Sequence, residues 1–289
     1  MSAFDDFVAL LKLDVDIYHN AKVCGNWQIN EHQLGATCFH IVTQGRCMLS
    51  VPGIVETEFN RGDLVIFPRE IEHTMWAIGE SQGEQVHLPY QSNQSGTGLL
   101  CAEVKVMHLF QNQLLSALPA VLLIKNDGEH TWLSHITELI MDESKRSLSA
   151  RTELLNRLSE MLFVFAMRDY IDTESPEQGV LAIYGDKRLS KAIKAFHANP
   201  EKKWDLEGLA RQAGMSRTSF AKHFKQKSGW TVNQYIVWWR MQLAWEMLAA
   251  GDKISHVAYQ VGYQSEAAFS KAFFKVFSRT PGDVRKLGG

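Results

Sequence analysis

The side chains able to do chemistry fall into two groups at opposite ends of the chain. Cys24, Cys38, Cys47 and Cys101, the only cysteines, all lie in the first 101 of 289 residues. None forms a CxxC pair, which argues against a secreted disulfide scaffold and leaves thiol chemistry or packing as small hydrophobes. The second group is a repeat. Leu209-Ala210-x3-Gly214-Met215-Ser216-x3-Phe220-x-Lys222-x-Phe224 returns as Val257-Ala258-x3-Gly262-Tyr263-x-Ser265-x3-Phe269-x-Lys271-x-Phe273. Each copy reads as a helix, a glycine turn, a serine N-cap and a second helix. Glycine permits a positive φ at the turn, and the serine hydroxyl takes up a free backbone N–H. Phenylalanines at i and i+4 pin one face of the second helix inward, so the intervening positions face outward. This is the helix-turn-helix layout, whose second helix enters the DNA major groove.

Charge supports that reading. The net charge of −2 conceals 18 Lys/Arg against 7 Asp/Glu from Lys187 to Gly289, and 12 against 25 in the rest. A basic module that binds polyanions, attached to an acidic body, fits this split. At 45% hydrophobic and 21% charged, the chain has the composition of a soluble globular protein and not of a disordered or coiled-coil one. No run approaches the roughly 18 apolar residues of a membrane span. The acidic start, Met1-Ser-Ala-Phe-Asp-Asp, is unlike a signal peptide. The expectation is a cytoplasmic protein with no membrane partner.

The elements that must position these groups follow from periodicity. Residues 2–13 read as a short amphipathic helix. Between about Asn26 and Val106, short apolar or alternating runs (CFHIV, CMLSV, LVIF, LLCAEVKV) are separated by turn signals, as in a β-barrel or sandwich. Helical periodicity returns over 131–145 and 149–171. There Leu154, Leu155, Leu158, Met161, Leu162, Phe165 and Ala166 make an apolar stripe wide enough for core and a homodimer interface. The stretch 172–179 has linker composition, and everything after about Leu189 is helical. Thr231-Val-Asn-Gln234 is a capping box opening a helix over 231–250, ended by Gly251. Its Trp238, Trp239 and Trp245 read as the core of a stiff connector, since two recognition helices must sit about 34 Å apart to read adjacent major grooves.

Ala210-x3-Gly214-x-Ser216-x3-Phe220-x3-Phe224-Lys225-x3-Gly229, then Val261-Gly262-Tyr263-x-Ser265-x3-Phe269 and Thr280-Pro281-Gly282, resemble the AraC family of bacterial transcription regulators. Ser278 departs from the glycine usual there. The resemblance implies a double-stranded DNA operator as partner, with RNA polymerase a second partner if the protein is an activator. Carried over by position, the base-facing set is Arg217, Thr218, Ala221 and Lys222 on the first recognition helix. On the second it is Glu266, Ala267, Ser270 and Lys271, with Gln264 just ahead. Arg217 and Lys222 suit guanine O6/N7 and Glu266 suits cytosine N4. Lys225, Lys227, Lys275 and Arg279 read as phosphate contacts.

The strand-rich part resembles the cupin barrels attached to one branch of that family. Gly62-Asp63-Leu-Val-Ile-Phe-Pro68-Arg-Glu70-Ile-Glu-His73 fits the second cupin motif, with Glu70 in place of the inner glycine. The first motif is degenerate: Glu31, Gln33 and Cys38 stand where two histidines and a glutamate belong. A cupin metalloenzyme with a DNA-binding tail is therefore disfavoured. Strand alternation puts Cys38, His40 and Val42 on the inward face, with His40 toward His73. The same branch includes regulators that respond to hypochlorite. Matching stretches place Cys24 and Cys101 at their redox-active cysteines. The resemblance thus implies redox sensing through Cys24 and Cys101, possible zinc binding by Cys24, His40, His73 and Cys101, or a small-molecule effector in the barrel.

The resulting expectation is an α+β protein and not an enzyme. A cupin-like β-barrel with flanking helices spans 1–172, a linker 173–187, and an all-α domain of two helix-turn-helix units joined by a long helix 188–289.

Overall fold

The computed structural model describes residues 2–30, 36–79, 83–90, 94–106, 110–146, 148–174 and 176–287. The elements run α1 (Ala3–Leu10), β1 (Leu13–Cys24), β2 (Gln28–Ile29), β3 (Cys38–Gln44), β4 (Arg46–Val51), β5 (Val55–Asn60), β6 (Leu64–Phe67), β7 (Thr74–Ala77), β8 (Val86–Leu88) and β9 (Thr97–Val106). They continue with α2 (Phe110–Ala117), β10 (Leu122–Ile124), α3 (Thr131–Lys145), α4 (Arg151–Thr173), α5 (Val180–Gly185), α6 (Lys187–His197) and α7 (Leu206–Ala213). The last are α8 (Arg217–Ser228), α9 (Val232–Ala249), α10 (Ile254–Gln260), α11 (Glu266–Phe277) and α12 (Pro281–Leu287). Two compact units result. One comprises Leu13–Met107 and Leu118–Asp169, the other Met1–Lys12, His108–Ala117 and Tyr170–Gly289.

The first unit has a six-stranded sheet ordered β10-β6-β3-β9-β1-β8 and a four-stranded sheet ordered β2-β7-β4-β5. Their inner faces share one core, which includes Val23, Val42, Leu49, Phe59, Phe67, Met75 and Leu99. In β4 the alternation is open to water on one side: Cys47, Leu49 and Val51 are buried while Arg46 is exposed. In β3 every residue but the last is buried, because α3 packs against it from outside. Asp63, beside Gly62 in the β5–β6 turn, ties that turn to the following loop by accepting from Asn60 N–H (2.8 Å) and Asn126 N–H (2.9 Å).

The second unit is all helical. Helix α9 is apolar nearly all round and accordingly central, burying Tyr235, Trp239, Met241, Ala244 and Leu248 among others. Its capping box is formed: Gln234 N–H donates to Thr231 Oγ1 (3.3 Å) and Thr231 N–H to Gln234 Oε1 (2.8 Å).

Two boundaries differ from the expectation. The segment 173–187 is not a linker. It holds α5, whose Val180, Leu181, Ala182, Ile183 and Tyr184 are all buried, and Gly179 N–H donates to Lys227 O of α8 at 2.8 Å. A five-residue apolar run is too short to show helical periodicity, so its polar flanks dominated the reading. Helices α1 and α2, which flank the main run of strands in sequence, belong to the helical unit, whereas α3 stays with the barrel. Phe7 of α1 is buried with its ring 5.3 Å from that of Tyr184, and Gly179 packs on Ala117 of α2. A polar chain extends the α1 contact. Asp6 Oδ2 lies 3.3 Å from His197 Nδ1, His197 Nε2 lies 2.9 Å from Tyr235 Oη, and Tyr235 Oη lies 3.0 Å from Tyr184 Oη. Burial holds His197 down at about 3, so it is neutral and can donate through Nδ1 and accept at Nε2. Lys12 and Glu246 of α9 complete the docking with an ion pair.

Ser278 explains itself in this frame. It ends α11 at φ 52°, with its N–H on Phe274 O at 2.8 Å, a left-handed cap that glycine adopts without its Cβ penalty. Ser278→Gly should therefore stabilise the helical unit by about 1 kcal/mol. Thermal unfolding would register this as a rise of several degrees. An unchanged or lower midpoint contradicts the strain argument.

Candidate functional site

Both recognition helices are built as their sequences require. Ser216 Oγ accepts from Ser219 N–H (3.2 Å) at the start of α8, and Ser265 Oγ accepts from Ala268 N–H (3.3 Å) at the start of α11. Gly214 (φ 65°) and Gly262 (φ 81°) make the left-handed turns before them. Phe220, Phe224, Phe269 and Phe273 are fully buried. Arg217, Thr218 and Lys222 of α8 are exposed and Ala221 is half-buried. Glu266, Ala267 and Lys271 of α11 are exposed, as is Gln264 ahead of it, and Ser270 is half-buried. None of the residues expected to face bases is buried in the core.

One positioning contact escaped the sequence reading. His223, on α8 between Lys222 and Phe224, places Nε2 2.6 Å from Asp186 Oδ2. Asp186 also caps α6, accepting from the N–H groups of Arg188 and Leu189 at 2.9 Å each. Burial alone would raise this carboxyl, but the capping bonds and His223 outweigh it and hold it below the usual range. The available signal was an Asp just ahead of an amphipathic run; its histidine partner is 37 residues away.

The barrel core holds the second cluster. His40 and His73 face each other, Nε2 to Nε2, at 3.0 Å. His73 Nδ1 lies 2.8 Å from Ile71 O, so that nitrogen carries a proton and a neutral His73 accepts at Nε2. His40 must then donate from Nε2, which leaves its buried Nδ1 as a bare acceptor. Burial and the neighbouring His73 push His40 well down, keeping it neutral. Phe67 stacks on His73 at 4.2 Å. Cys38 Sγ lies 3.9 Å from His40 Nε2, and Cys101 is the register partner of His40.

The structure does not bring Cys24 to this cluster. On the β1–β9 ladder Val23 pairs with Thr97 and His19 with Cys101, so Cys24 lies five residues along from Cys101. That is roughly 16 Å at the rise of a strand, against the 4.4–6.8 Å Cα separation a disulfide needs. Val23 and Cys101 are both in the inner core, so alternation turns Cys24 to the other face of the sheet. There its Sγ packs over Gly96, where an added Cβ would come within 2.5 Å. A set of Cys24, His40, His73 and Cys101 is therefore not assembled. Among the described residues no three His, Cys, Asp or Glu side chains are placed to hold one metal ion. The degenerate motif positions Glu31 and Gln33 lie outside the described residues.

All four thiols are buried. Burial raises Cys38 and Cys101, and it raises Cys47 to about 12. A thiol reagent the size of dithionitrobenzoate should therefore find no fast-reacting cysteine in the native protein and four after denaturation. A fast native equivalent would contradict this packing.

A family model described as "Cupin" matches residues 3–172, and one described as "Helix-turn-helix domain" matches residues 209–287. The chain is 28% identical to the HTH-type transcriptional regulator MtrA of Neisseria gonorrhoeae, covering 100% of this chain and 99% of that one. It is 27% identical to the RCS-specific HTH-type transcriptional activator RclR of Escherichia coli K12, covering 92% and 91%. It is 28% identical to the HTH-type transcriptional regulator AlkR of Acinetobacter baylyi, covering 98% and 97%. Among the described residues no helix is long and apolar enough to cross a membrane. The chain belongs to the AraC-type DNA-binding transcription regulators that carry an N-terminal cupin domain, and it is not an enzyme.

Proposed function

We propose that this regulator reads a specific duplex operator with α8 and α11 and changes its hold on DNA when Cys101 is oxidised. The observation that carries the first half is the exposure of Arg217 and Glu266 at the starts of the two helices and of Lys222 and Lys271 on the side opposite four buried phenylalanines. The second half rests on the company Cys101 keeps and on its likeness to the RCS-specific relative. Hypochlorous acid oxidises a thiol by two electrons to sulfenic acid and is itself reduced to chloride. At Cys101 the added hydroxyl has His19 and His40 as its register partners on the two neighbouring strands, whereas Cys24 is wedged over Gly96. Burial keeps Cys101 protonated, so a mild oxidant that needs thiolate, such as hydrogen peroxide, finds almost none. The cluster would thus select for strong electrophilic oxidants.

Operator binding by the full-length protein, before and after one equivalent of hypochlorite, tests both halves. Lys222→Ala and Lys271→Ala should each weaken binding by roughly five- to a hundredfold, the worth of a good base contact. Oxidation should shift the affinity of the parent and of Cys24→Ser, and leave Cys101→Ser unmoved. A response lost in Cys24→Ser and kept in Cys101→Ser reverses the assignment. Binding indifferent to both lysines removes the DNA-reading assignment.

The protein is further proposed to be a homodimer through α4. Leu154 and Met161 remain 48% and 50% exposed on that helix, one turn either side of half-buried Leu158. Such an i, i+4, i+7 stripe suits a twofold contact. Replacing Leu154 and Met161 with glutamate should convert a dimer to a monomer in sedimentation velocity. An unchanged mass would place the interface elsewhere.

A further inference from the structure

Besides the charge reversal from Arg217 to Glu266, the two recognition helices differ in chemical type at a second outward position. Aligned on their serine caps and buried phenylalanines, Lys225 of α8 corresponds to Phe274 of α11. Phe274 leaves 54% of its surface in water. The preceding helices show the same exchange, with Arg211 of α7 corresponding to Tyr259 of α10, which is 70% exposed. Residues 205–229 carry five Lys/Arg and residues 252–278 three. The second helix-turn-helix unit therefore relies less on attraction to phosphate and offers aromatic surface instead.

The direction of Phe274 follows from helix geometry. At 3.6 residues per turn, and counting from Glu266, Ser270 lies at about 40°, Ala267 at about 100° and Lys271 at about 140° around the axis. Phe274 falls at about 80°, in the middle of that arc, while buried Phe269 and Phe273 lie at about 300° and 340°. The ring thus continues the DNA-facing stripe, about 12 Å along the helix from Glu266. More than half of its surface is exposed in the free protein, and that apolar area is available to a partner on that face. In the major groove the apolar partner on a base edge is the thymine C5-methyl group.

We propose that Phe274 is a specificity-determining residue of the second recognition helix, packing on a thymine methyl where α8 uses Lys225 on phosphate. The proposal rests on the DNA reading above and adds the base type that the distal part of α11 selects. The contact is apolar, so its contribution should not fall with salt as a phosphate contact does.

The probe is the tightest duplex selected from a random-sequence pool by the full-length protein. Each thymine is replaced in turn by deoxyuridine, which removes only the methyl. At one thymine the parent should lose about fourfold in affinity, the worth of one methyl taken out of water. Phe274→Ala should be weaker on the unmodified duplex and indifferent to that uridine, with an unchanged melting temperature because the side chain is exposed. Phe274→Lys should also ignore the uridine, and its log K against log salt should steepen by about one unit. If Phe274→Ala keeps the parent's affinity and uridine profile, the ring faces another protein and the proposal falls. If the parent selects no duplex at all, the DNA reading falls with it.

Discussion

Four phenylalanine rings decide which side of each recognition helix meets solvent. Phe220, Phe224, Phe269 and Phe273 are all fully buried, at i and i+4 within their helices. Burying one such ring is worth about 1.5–3 kcal/mol. Rotating either helix by a quarter turn would bring two rings into water, a loss several times larger than any single surface ion pair could offset. The rings therefore lock each helix in place without help from the charged residues. The serine caps and left-handed glycines set where each helix begins, and the Asp186–His223 contact ties α8 to the cap of α6.

The barrel interior follows a different rule. Its polar side chains are few and only partly satisfied: His73 lies on Ile71 O and His40 on His73, while His40 Nδ1 and His19 Nε2 are buried without a hydrogen-bond partner. A dry neutral cluster of this kind tolerates no new charge, because desolvation in the core penalises every ionised form. Any covalent change there must be accommodated by the strands. Cys101 lies on β9, which pairs with both β1 and β3, and in sequence β1 follows α1 and β9 precedes α2. Both of those helices are packed in the helical unit. Covalent continuity thus gives events at β1 and β9 two short routes toward the DNA-reading unit.

What could be read from the sequence was local. Glycine, serine and phenylalanine at fixed offsets specify each helix-turn-helix unit within about 20 residues, and the structure follows them. Strand alternation correctly turned His40 toward His73, because both stand in short strands or motifs with a clear inward phase. Cys24 and Cys101 could not be paired that way. Whether they meet depends on the β1–β9 register and on which face each occupies, neither of which is encoded near either residue. The places of α1, α2 and α5 were hidden for a related reason. Tyr184 and His197, which bury the apolar face of α1, lie more than 170 residues from it. Phe274 lies one residue past the repeat that sequence spacing defines, and only its exposure sets it apart.

The central claim, that α8 and α11 read one duplex in tandem, is most directly tested by guanine-N7 methylation interference on an operator bound to the full-length protein. N7 lies in the major groove, and two recognition helices on adjacent turns of one face should give two clusters of interference about 10 base pairs apart. A single cluster, or no interference at any guanine N7, would contradict it.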